Sequence, residues 1–174
     1  MAKFLLLFTS LILGCTNASE KMKTEQQDAE VTTIYLIRHA EKDRSQTGNQ
    51  DPDLTQEGQA RAQKWAEVLK NVKFDAVYTT NYKRTRQTAE PLARQNGLEV
   101  KIYNANKLYD EEFKEATSGK TIMVVGHSNT TPQFTNAILG ETTYQDIDDS
   151  ENGALFIVQV QPDGSASSQV LYIN

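Results

Sequence analysis

Cysteine is almost missing from this chain: Cys15 is the only one among 174 residues, so no disulfide can form within it. Histidine is nearly as scarce, with two residues, His39 and His127. No run of Lys and Arg occurs, no basic stripe is interleaved with aromatics, and the formal charge is −5. Together these argue against a nucleic acid as partner. No apolar stretch reaches the about 20 residues needed to cross a bilayer as a helix. There is no internal repeat and no sign of a second domain. What remains, 38% hydrophobic and 24% charged residues, is ordinary globular material with enough length for one sizeable core.

The first residues have a different character. Met1-Ala2-Lys3 carries one positive charge, Phe4 to Leu13 is almost continuously apolar, and Ile12-Leu13-Gly14-Cys15 follows. The run suits the core of a signal peptide. Its end resembles the lipobox of bacterial lipoproteins, in which a Cys after a small residue is lipidated and becomes the new N-terminus. Thr16 to Glu30 is polar, with Met22 its single large apolar residue, and reads as a tether. The expected organisation is a signal segment 1–15, a tether 16–31 and a folded domain 32–174. Acyl chains on Cys15 would hold that domain at a membrane surface, outside the cytoplasm, without its crossing the membrane.

From residue 32 strand and helix patterns alternate. Thr32 to Ile37 is β-branched and apolar, as a buried strand requires. A polar loop runs from Glu41 to Asp53. Thr55 is placed to cap a helix with apolar Ala62, Trp65, Ala66, Leu69 and Val72, and Gly58 inside it implies a close approach to something beneath. Asp75 to Thr79 reads as a strand, and Arg84 to Gln95 as a helix bent at Pro91 and closed by Gly97. Val100 to Tyr103 is a short strand, Tyr109 to Thr117 an acidic helix, and Thr121 to Val125 a fully apolar central strand. Pro132 suits the first position of a helix that Gly140 stops. Leu155 to Val160 and Ser167 to Ile173, around Pro162-Asp163-Gly164, form an antiparallel hairpin. The expected class is α/β: a three-layer α/β/α domain with a central, mostly parallel sheet.

Both histidines directly follow buried-strand patterns, His39 through Arg38 and His127 through Gly126, and Arg84 closely follows a third. In open α/β sheets ligands bind beyond the carboxyl ends of the strands, so the topology delivers His, His, Arg and Arg to one edge. Those groups suit phosphoryl transfer. A neutral imidazole can attack phosphorus, and arginines hold phosphate oxygens bidentately while keeping their charge. Other chemistries fit less well. A metal needs a third ligand and would sit beside two guanidinium groups. Gly126-His127-Ser128-Asn129-Thr130 has Thr where a nucleophile elbow has its second Gly.

Leu36-Ile37-Arg38-His39-Ala40, Leu54-Thr55-Gln56-Glu57-Gly58, Arg84-Thr85-Arg86-Gln87-Thr88-Ala89 and Val125-Gly126-His127-Ser128 resemble, in order and spacing, the motifs of the histidine phosphatase superfamily, also called phosphoglycerate mutase-like. The resemblance spans residues 32–140. It implies that His39 becomes phosphohistidine, that Arg38, Arg84 and His127 hold the phosphate, and that no metal or other cofactor takes part. It also implies a general acid in Leu108-Tyr109-Asp110-Glu111-Glu112, where Asp110, third in a Leu-x-acid pattern, comes before Glu111 and Glu112. Ala40 replaces a commoner Gly, and Thr80 stands where Ser-Pro is usual. The activity so implied is hydrolysis of a phosphorylated small molecule outside the cytoplasmic membrane. The alternatives are a lipid-anchored phosphate-binding module without turnover and a mutase-like phosphotransferase.

Overall fold

A computed structural model describes residues 30–173. The expected signal segment, the lipidation site at Cys15 and all but the end of the tether lie outside the described residues. The elements within them are β1 (Thr32–Arg38), α1 (Gln56–Val68), β2 (Ala76–Thr79), α2 (Lys83–Gln95), β3 (Val100–Ile102), α3 (Glu111–Thr117), β4 (Thr121–Gly126), α4 (Thr130–Leu139), β5 (Ala154–Val160) and β6 (Ala166–Tyr172).

The strands form one sheet in the order β3-β2-β4-β1-β5-β6. β3, β2, β4 and β1 run parallel, while β5 is antiparallel to both β1 and β6. Alternate side chains feed two cores. Ile34, Leu36, Tyr78, Ile122 and Val124 meet Phe113 of α3 and Phe134 and Ile138 of α4 on one face. Ile37, Val77, Met123 and Val125 meet Trp65 and Ala66 of α1 and Ala89, Leu92 and Ala93 of α2 on the other. β4 is apolar from Ile122 to Val125 because both its faces are covered. The fold is the three-layer α/β/α arrangement that the sequence implied.

Helix ends follow local chemistry. The Thr55 hydroxyl accepts from Gly58 N at 3.0 Å and starts α1. Asn96 caps α2 and Gly97, at φ 66°, turns the chain away; Gly140, at φ 74°, ends α4. α2 continues through Pro91. α4 starts at Thr130, two residues before Pro132, which still lies in the first turn, where its missing N–H costs nothing. α3 starts two residues later than expected: Tyr109 takes the left-handed φ of 52° and Asp110 becomes the cap.

Candidate active site

Three strand ends build one hollow. The β1–β4 register pairs Arg38 with Gly126, and His39 N donates to Gly126 O at 2.9 Å, so His39 and His127 emerge side by side. Beyond β2 the chain turns through Thr80 and Tyr82 into α2, whose second residue is Arg84. The result is a hollow of about 380 Å³ bordered by Arg38, His39, Lys42, Tyr82, Arg84, His127 and Asp149, together with residues 128–130. A larger hollow between α2 and β3 contains no histidine, and its Arg86, Glu90, Arg94 and Glu99 balance in charge.

The His39 ring is buried, and its Nδ1 lies 2.7 Å from Ala40 O. A carbonyl only accepts, so Nδ1 carries the proton and Nε2 keeps the lone pair. Burial pushes the His39 pKa down to about 3, against a partial pull upward by the Ala40 carbonyl and with help from neighbouring cations. The turn after His39 is held from α2. Ala40 N donates to the Thr88 hydroxyl at 3.0 Å, and that hydroxyl donates to Arg84 O at 2.7 Å. The Ala40 methyl group, fully buried, packs with Leu54 and Ala62, so the extra carbon is accommodated. Gly58 explains the close approach read from the sequence: a Cβ there would stand 2.2 Å from Glu41 O.

His127 sits with its ring 5.5 Å from His39 and edge-on to Tyr82 at 5.1 Å. Its Nε2 lies 2.9 Å from Thr80 Oγ1, and its Nδ1 lies 3.5 Å from Arg84 Nη2. Burial, then Arg84, Lys42 and Arg38, push its pKa down to about 4. Arg84 also lies over the Tyr82 ring at 4.4 Å and donates to Gln50 O at 3.2 Å. Asp51, 3.8 Å from Arg84, accepts from Lys83 N and so caps α2.

Arg38 is gripped from behind. Its Nη1 donates to Asp148 O, Asp149 O and Glu151 O at 2.9 to 3.0 Å. Its Nη2 meets Asp149 Oδ1 at 2.6 Å, and Asp149 Oδ2 meets Arg44 at 2.6 Å. Hydrogen bonds from Arg44 and then Arg38 hold the Asp149 carboxyl down to about 2, so it is ionised.

The acidic candidates need correction. Asp110 Oδ1 accepts from Phe113 N at 3.0 Å as the cap of α3, a task that fixes its carboxylate at a helix end. Asp110 and Glu112 border a separate hollow with Tyr78 and Tyr103, and Glu111 pairs with Lys114 at 2.6 Å. The carboxylate that does border the histidines, Asp149, was missed, because nothing in the spacing of the 141–153 loop ties it to Arg38. Thr80 was seen only as a departure from a motif. Among the described residues no cluster of three His, Cys, Asp or Glu side chains is placed to hold a metal ion.

Both imidazoles are neutral when folded, whereas an unfolded His takes a proton near pH 6.5. The unfolded state therefore binds more protons as pH falls, and stability is complete above about pH 6.5 and declines from there towards about 4 and 3, the folded values. The unfolding midpoint should fall across this window and fall less in His39→Asn; parallel curves for the two proteins would refute the assignment.

Residues 34–107 match the family model described as histidine phosphatase superfamily (branch 1). A 2,3-bisphosphoglycerate-dependent phosphoglycerate mutase of Bartonella tribocorum is 39% identical over 71 residues, 37% of this chain and 34% of that protein. Phosphoserine phosphatase 1 of Hydrogenobacter thermophilus is 35% identical over 71 residues, 38% of this chain and 34% of that protein. The matched stretch thus spans about a third of the length of these curated relatives. Among solved structures, the protein histidine phosphatase SixA complexed with tungstate superposes with a TM-score of 0.65 at 15% identity, covering 80% of this chain and 96% of that one. Mycobacterial hydrolase 1 gives a TM-score of 0.64 at 14% identity, covering 83% of this chain and 99% of that one. Motifs and family model agree over residues 34–107, which are similar to the histidine phosphatase superfamily (branch 1), and the sheet architecture is that of the solved structures above.

Proposed function

We propose that this protein is a phosphatase that carries the phosphoryl group of a phosphomonoester on His39 Nε2 and then passes it to water. The observation that carries the reading is the 2.7 Å contact of His39 Nδ1 with Ala40 O, which leaves a lone pair on Nε2 beside Arg84 and His127. In the first step the Nε2–P bond forms as the ester P–O bond breaks. In the second, water forms a new P–O bond, the N–P bond breaks, and phosphate leaves. Arg84, Arg38 and Lys42 supply fixed positive charge where the phosphoryl oxygens gather charge. Lys42 and Asp149, from the 41–53 and 141–153 loops, border the hollow beside Tyr82 and Ala105, and its volume of about 380 Å³ leaves room for water as acceptor. A nucleophile with a fixed tautomer also favours turnover over mere phosphate binding.

Hydrolysis of an aryl phosphate by the full chain should resist a chelator and be blocked by vanadate. Phosphate binding without release from any phosphomonoester would replace the enzyme by a binding module. Residues 1–15 support a place outside the cytoplasmic membrane, held by a lipid on Cys15. Cys15→Ser should move the protein from the membrane fraction to the soluble one; unchanged membrane retention would contradict the anchor.

A further inference from the structure

His127 is held at Nε2 by a chain of two hydroxyls. The Thr85 hydroxyl lies 2.9 Å from both Thr80 O and Tyr82 O, carbonyls that can only accept, so Thr85 donates to them. It lies 3.0 Å from Thr80 Oγ1, which must then donate to it. Having spent its proton, Thr80 Oγ1 accepts from His127 Nε2 at 2.9 Å. Thr80 is 3% exposed and Thr85 fully buried, so no solvent competes for these positions. The opposite tautomer would set Nδ1–H against an Arg84 N–H 3.5 Å away, two donors face to face. The hydroxyl pair therefore holds the ring with its Nδ1 lone pair towards Arg84 and the hollow.

The hollow has a matching gap in its chemistry. Among the described residues that line it the one carboxylate, Asp149, is ionised and held by two arginines, while Asp110, Glu111 and Glu112 stand elsewhere. An alkoxide leaving from phosphorus needs a proton. A phosphomonoester has its second pKa near about 6, so near neutrality a good fraction is the monoanion and brings its own proton.

We propose that His127 is the proton donor to the leaving oxygen, taking its proton at Nδ1 from the bound phosphomonoester monoanion, with Thr80 and Thr85 as the positioning pair that keeps Nδ1 turned to the substrate. The inference rests on the phosphatase reading above. The phosphoryl O–H gives its proton to Nδ1 and forms the imidazolium. As His39 Nε2 bonds to phosphorus, the ester P–O bond breaks and the same proton passes from Nδ1 to the departing oxygen, which leaves as an alcohol. Thr80 Oγ1 keeps accepting from Nε2–H throughout. The charged and titratable groups around His127 are Arg84 from α2, Arg38 at the end of β1, Lys42 after it, Tyr82, His39, and Asp149 across the hollow. The cations make the empty ring a poor base, and a bound phosphoryl anion offsets them, so protonation accompanies binding.

The test compares an alkyl phosphate with 4-nitrophenyl phosphate, whose leaving group departs without a proton. His127→Gln should lose about 10²–10⁴-fold in kcat/KM on the alkyl ester and about tenfold or less on the nitrophenyl ester. Thr80→Val should show the same leaving-group dependence in weaker form, and Thr80→Ser should restore it. For the wild type, kcat/KM on the alkyl ester should fall as pH rises above about 6, with loss of the monoanion. Equal losses on both esters would leave His127 a phosphate clamp and overturn the proposal. Wild-type failure on both esters would instead overturn the phosphatase reading.

Discussion

His39→Asn will leave the protein folded but reduce phosphomonoester hydrolysis by about 10⁴-fold or more, the scale on which a nucleophile with its own activating surroundings fails when removed. The asparagine amide can still donate to Ala40 O, so the turn that Thr88 braces survives. Arg84, Arg38 and His127 are untouched, so inorganic phosphate should bind within about tenfold of the wild-type affinity. The two readouts separate chemistry from binding. A second signature belongs to the wild type alone: brief exposure to labelled substrate should leave a phosphoramidate, labile to acid and stable to alkali, on the peptide containing His39. Wild-type turnover by His39→Asn, or a label on any other residue, would refute the assignment.

Gly58→Ala is the second large effect, and its origin is backbone rather than chemistry. The new Cβ would lie 2.2 Å from Glu41 O, and this oxygen already accepts from Thr55 N at 2.9 Å. A carbonyl locked by a helix cap cannot swing aside as a flexible side chain would, so either α1 or the 40–42 turn must move. Overpacking of this kind costs typically about 1–3 kcal/mol. In a chain of this length that corresponds to a fall in Tm of roughly 2–4 °C per kcal/mol. Because Glu41 is two residues from His39, activity should fall further than the folded fraction does. An unchanged Tm would mean that the helix does not approach the turn so closely.

The sequence disclosed most of this fold because its strands are extreme. Thr32 to Ile37 and Thr121 to Val125 are apolar enough to be buried on both faces, and a histidine at the end of each marks the rim of the sheet. Gly58, Gly97 and Gly140 also fell where backbone geometry requires them. What stayed hidden was made by tertiary contact. Asp149 meets Arg38 only because the loop before β5 folds back over β1, and no local pattern encodes such a pairing. Asp110 misled for the opposite reason: its short side chain before Glu111-Glu112-Phe113 is a good helix cap, and local capping decided its place. The Thr80–Thr85 pair spans five residues, yet its meaning depends on His127 arriving from β4.

The order of strands also governs how the molecule is made. Of the described strands β1 leaves the ribosome first, yet it lies between β4 and β5, so it must wait for partners made far downstream of it. Long-range pairing of this kind makes assembly slow. A nascent chain halted before residue 154 would have β1 flanked on one side only, its Ile34, Leu36 and Ile37 beside a bare row of N–H and C=O groups. Synthesis must pass β5 before the central strand is sealed, and until then the unfinished chain depends on whatever keeps such edges from finding one another.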